Sequence, residues 1–162
     1  MLPGLLILGL VLCLAGCGDE AEIEELKAYV KTVQAFQHFN ENVQRYITQF
    51  DDPSIPVIQA DVDAARRLVD DYAAKVASLE EPYESALRHT HGLYARCFDD
   101  ARLLARDETG DLRRQAYSVV IGLRNLRRDI GDRVYPSIEV LLARKGIGHA
   151  EGDEYALPGG LE

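Results

Sequence analysis

Apolar residues recur along this chain in steps of three and four. The clearest run is Ile58, Val62, Ala65, Val69, Tyr72, Val76 and Leu79. That spacing places every member on one face of a 3.6-residue helix and leaves the intervening polar residues on the other. A second run, Tyr83, Leu87, Thr90, Tyr94, Cys97, Ala101 and Leu104, repeats the pattern. A third begins at Leu112, Ala116, Val119, Leu123, Leu126 and Ile130 and continues through Val134, Ile138 and Leu141. Nearer the start, Ile23, Leu26, Val30 and Val33 lead into Phe36, Val43, Ile47 and Phe50, with polar Asn40 in the same row. The step from Val33 to Phe36 is three where four is expected, which predicts an overwound turn within one helix.

Three clusters of Pro, Gly and acidic residues separate these runs: 51–56, 80–82 and 107–111. The pattern therefore predicts four helices, at about 20–50, 56–80, 82–108 and 111–145. Asp19, Glu20, Glu22, Glu24 and Glu25 suit the positive end of the first helix dipole. Ser54 is the expected cap of the second helix, with Pro56 in its first turn, and Pro82 is the expected first residue of the third. Gly110 reads as a stop and Asp111 as the next cap. Pro136 lacks a backbone donor and predicts a kink at 132–136. Gly146, Gly148, Gly152, Pro158, Gly159 and Gly160 mark 147–162 as a largely disordered tail. Seam-like stripes joined by short connections predict an all-α fold, an antiparallel up-down-up-down four-helix bundle over residues 17–146.

Residues 2–15 are almost entirely apolar, a run shorter than the ~20 residues a spanning helix requires. The run ends in Leu14-Ala15-Gly16-Cys17, followed by Gly18-Asp19-Glu20. This segment resembles the lipobox of bacterial lipoprotein signal peptides. It departs from the usual signal pattern in having no Lys or Arg in residues 1–16. The resemblance implies removal of residues 1–16, lipid attachment to Cys17 and a mature chain of 146 residues on the periplasm-facing side of the cell envelope. In that family an acid directly after the cysteine retains the protein at the inner membrane. Gly18 holds that place, so the resemblance favours the outer membrane. The body also resembles, weakly, small helical bacterial lipoproteins with no assigned activity.

The net charge of −9 argues against nucleic acid as a partner. Of three cysteines, Cys13 would leave with the signal and Cys17 would carry lipid, so Cys97, on its apolar stripe, is expected to be a buried, inert thiol.

Catalytic and metal patterns are missing from the sequence. The residues three before His38, His89, His91 and His149 are Ala35, Ala86, Arg88 and Gly146, which excludes the Glu-x-x-His pair of bundle di-iron sites. No C-x-x-C, G-x-S-x-G or Gly-rich phosphate loop occurs. The chain reads as a non-catalytic protein without cofactor or metal. Charge is uneven: residues 111–145 carry eight bases and four acids, against ten bases and nineteen acids in 17–110. Arg113, Tyr117, Arg124 and Arg128 fall within ~60° on a helical wheel. They pair either with acids of adjacent helices, such as Asp61, Asp63, Asp70 and Asp71, or with an acidic envelope protein docked on this face. The expected function is a lipid-anchored interaction or structural module. The alternative is a small-molecule site between helices near Asn40, Thr90 and Tyr94.

Overall fold

The computed structural model describes the backbone of residues 4–158 and the side chains of residues 19–158. The side chains of Leu14, Ala15, Gly16 and Cys17 lie outside the described residues, as do residues 159–162. The fold is all-helical, with no strand among the described residues: α1 (Gly4–Ala35), α2 (Gln37–Asp51), α3 (Gln59–Ala77), α4 (Ser85–Ala105), α5 (Leu112–Asp129) and α6 (Tyr135–Arg144). Among the described residues no helix is long and apolar enough to cross a membrane.

The predicted stripes form the core. Leu26, Val30, Val33, Val62, Val69, Val76, Leu87, Ala101, Leu123 and Ile138 are all buried. α4 packs against α3 and α5, α2 against α3 and α5, and α1 against α2 and α6. Two apolar stripe members are exposed. Ile58 is 53 % exposed and Tyr83 is 91 % exposed. Both precede the helices assigned to them: α3 begins at Gln59 and α4 at Ser85. The caps move accordingly. Ser54 does not cap α3; its N–H and hydroxyl donate to Asp52 Oδ1 at 2.8 and 2.6 Å in a local turn. Pro82 precedes α4, which is capped by Glu84 accepting the Leu87 N–H at 2.5 Å.

The first expected helix is two. At Phe36 the backbone tightens (φ −84°, ψ 3°), and the Phe36 N–H donates to Val33 O at 3.0 Å instead of reaching four residues back. The short step from Val33 to Phe36 thus marks an interruption between α1 and α2. The shift keeps both Phe36 and Phe39 inside. At the other end, the kink expected at Pro136 takes the form of a π-helical turn, Ile130–Val134, in which the Tyr135 N–H donates to Ile130 O. The wider turn puts Pro136 in the first turn of α6, where a missing N–H leaves no bond unmade.

The connection between α4 and α5 follows the sequence closely. Gly110 adopts φ +83°, and Asp111 Oδ1 accepts the Arg114 N–H at 2.9 Å. Arg66 closes this end from α3, donating to Ala105 O at 2.6 Å, Asp107 O at 3.1 Å and Gln115 Oε1 at 3.1 Å.

Over residues 147–158 the expected disordered tail is instead packed on α1. Ile147, Tyr155 and Leu157 are partly buried against the core. Gln34 Nε2 donates to Glu154 O at 3.0 Å and Ala156 O at 2.7 Å, and Lys31 Nζ lies 4.9 Å from the centre of the Tyr155 ring. Three aliphatic or aromatic residues in a Gly-rich stretch suffice to seat it.

Candidate functional site

Asn40, Thr90 and Tyr94, the polar residues on otherwise apolar stripes, are each hydrogen-bonded to another side chain. Tyr72 stacks on Phe39 with ring centres 4.6 Å apart and meets Phe98 edge-on at 4.9 Å. Its hydroxyl donates to Asn40 Oδ1 at 3.0 Å, so the Tyr94 hydroxyl, 2.6 Å away, donates to it. Asn40 Nδ2 in turn donates to the Tyr135 hydroxyl at 3.0 Å. Thr90 Oγ1 lies 2.6 Å from Ser137 Oγ. Burial raises the Tyr94 and Tyr72 phenols well above their ordinary range and pushes Tyr135 up to about 12. The thread is neutral, and these groups serve one another, which is the arrangement buried polar atoms require.

The basic face of α5 opens on a cleft. Gln44, Thr48, Asp51 and Asp52 line it from α2 and the residue after, and Arg124, Arg127, Arg128 and Asp132 from α5 and the π-helical turn. Its volume is about 780 Å³. Three guanidinium and three carboxylate groups share the walls. Such a mixed lining suits a polar chain with both donors and acceptors and gives a simple anion no net attraction.

The four residues singled out on this face divide. Arg113 donates to Pro53 O at 3.2 Å and Ile55 O at 3.4 Å and fastens the connection between α2 and α3. Its charge also helps hold the Asp52 carboxyl below the ordinary range, an effect led by the hydrogen bonds from Ser54. Arg124 pairs with Asp51 across the cleft. Arg128 pairs at 3.3 Å with its own neighbour Asp129, leaving the side chain 61 % exposed. Tyr117 is exposed at the surface of α5.

Three of the four acids considered as lateral partners are engaged elsewhere, and Asp71 is exposed on α3. Asp61 accepts from Gln49 at 2.7 Å, Asp63 pairs with Arg66 at 3.3 Å and Asp70 with Arg102 at 3.3 Å. Asp51, the residue that meets Arg124, was legible only as part of a helix-end acidic cluster, because its partner lies 73 positions away.

Cys97 is buried, with its thiol donating to Leu93 O at 3.2 Å, and burial pushes it up to about 11. Among the described residues no group of three His, Cys, Asp or Glu side chains is placed to hold a metal ion. In comparisons with known proteins, no family model, no curated protein and no solved structure matches this chain.

Proposed function

We propose that this chain is a lipid-anchored bacterial envelope lipoprotein whose body is an antiparallel up-down-up-down four-helix bundle acting as a non-catalytic interaction or structural module. The observation that carries the reading is Leu14-Ala15-Gly16-Cys17 at the end of an apolar run and directly before an acidic helical segment. Six- and seven-residue connections between α2, α3, α4 and α5 support the up-down order. Further support comes from Arg113, which joins the start of α5 to the α2–α3 connection, and from Lys145, which joins the end of α6 to Asp19 and Glu22, midway along α1. Gly18 after Cys17 favours the outer membrane.

The outward Tyr117 and Arg128 are the residues offered to an acidic protein partner, since Tyr and Arg are favoured in protein interfaces. Arg113 and Arg124, by contrast, contribute to the chain's own packing.

Cross-linking the protein in its native membranes and purifying it tests the reading, with Cys17→Ser as the unanchored control. The mass of the mature protein should show residues 1–16 absent and a diacylglyceryl group on Cys17. One envelope protein should co-purify, and the pair Tyr117→Ala with Arg128→Glu should release it while leaving the melting temperature nearly unchanged. An unmodified Cys17 would sink the anchor. Capture that survives the Tyr117 and Arg128 changes would sink the docking face.

A further inference from the structure

The connection between α3 and α4 is gripped by its backbone from two sides. The Glu25 carboxylate of α1 accepts the Tyr83 N–H at 2.6 Å and the Glu84 N–H at 3.1 Å. From α4, Arg88 donates to Pro82 O at 3.0 Å and Tyr83 O at 2.9 Å, and pairs with Glu81 at 3.3 Å. Pro82 is buried. In the middle of this fastened loop the Tyr83 side chain is 91 % exposed. A loose loop would explain an exposed ring trivially, but here the backbone is fixed and the ring is held out on it.

The place is specific. Tyr83 flanks a shallow hollow with Ala21, Glu22, Glu25 and Glu84, beside the middle of α1. Ala21 is four residues past Cys17, ~6 Å along a helix axis. One headgroup layer of a bilayer is ~5–7 Å deep.

We propose that Tyr83 is a membrane-contact residue that seats the anchored protein in the zwitterionic headgroup layer of its bilayer; this rests on the lipid-anchor reading above. A phenol ring suits that layer because its body is apolar and its hydroxyl can reach phosphate or ester oxygens. The surrounding charge selects the lipid. Glu22, Glu25 and Glu84 border the ring, and two nearby cations are already paired, Lys145 with Glu22 at 2.7 Å and Arg88 with Glu81. An acidic rim repels anionic headgroups and can face the ammonium of zwitterionic ones.

The chain contains no Trp, so Tyr83→Trp introduces a single fluorescent reporter at an exposed position. The full protein is extracted from its membranes, weighed for lipid on Cys17, and reconstituted in phosphatidylcholine vesicles carrying a headgroup nitroxide quencher. Fluorescence of the Tyr83→Trp protein should fall about twofold or more, with Tyr117→Trp, on the opposite end of the chain's fold, unquenched. Replacing half the lipid with phosphatidylglycerol should weaken the quenching. A lipidated Tyr83→Trp protein quenched no more than Tyr117→Trp overturns the contact and leaves the anchor standing. Equal quenching in both lipids overturns the zwitterionic preference, and an unlipidated Cys17 overturns both anchor and contact.

Discussion

Tyr72 sits where the aromatic cluster and the polar thread cross, stacked on Phe39 while its hydroxyl links Tyr94 to Asn40. Cys97, in the same core, shows what such surroundings do to an acid. Its thiol is pushed from 9.0 to about 11, first by burial and then by the charge of Asp129. The folded state therefore holds the thiol proton more tightly than the unfolded chain does. The associated stability is complete below pH 9 and disappears as pH rises through the folded value, a loss of about 2–3 kcal/mol between pH 9 and 11. Tyr135, pushed up to about 12, adds a loss that starts near pH 10, the unfolded tyrosine value. Urea midpoints measured under reducing conditions should decline from pH 9 in the wild type. In Cys97→Ala they should stay level to about pH 10, where unfolded tyrosines begin to ionise. A Cys97→Ala protein with the wild-type slope between pH 9 and 10 would refute this assignment.

At the scale of elements, α4 and α5 approach closely at Gly122. A Cβ there would lie 3.1 Å from Ala101 O and 3.2 Å from Leu104 Cβ. The next nearest atom is Ala101 Cα, and Ala101 is buried, so backbone and a rigid Cβ, not a flexible side-chain end, stand in the way. Gly122→Val should cost about 1–3 kcal/mol through overpacking, read as a lower melting temperature, whereas Gly146→Asn, at an open φ +68° position, should be nearly neutral. Unchanged stability of Gly122→Val would mean that the two helices can separate freely. Helical periodicity made most of the core legible in advance, because one face of each helix must be buried whatever its partner. Cap and proline chemistry located Gly110, Asp111 and the disturbance before Pro136. Helix starts were less legible: Ser54 and Pro82 have the chemistry of helix starts, but Asp52 takes the Ser54 N–H and hydroxyl, and Glu84 rather than Pro82 marks the start of α4, accepting the Leu87 N–H. The break at Phe36 was visible only as a one-residue slip in the stripe. The cleft was harder still. Its basic wall could be read from α5, but which acids face it depends on helix packing and not on any local pattern.

Over the whole molecule, α1 is held mainly by residues far along the chain. Glu25 grips the backbone at Tyr83 and Glu84, Lys145 reaches Asp19 and Glu22, and the segment around Glu154 and Ala156 lies over Lys31 and Gln34. The separations of these last pairs run from 120 to 126 positions. By contrast α3, α4 and α5 meet their neighbours across short connections. Loop closure makes distant pairings late. The first helix to be synthesised is therefore the last to become protected, waiting on residues almost at the other end of the chain. In pulse-labelled hydrogen exchange during refolding, amides of α4 and α5 should gain protection before those of residues 19–35, and simultaneous protection would contradict this order. A nascent chain would carry that opening helix undocked until nearly all of the protein had been made.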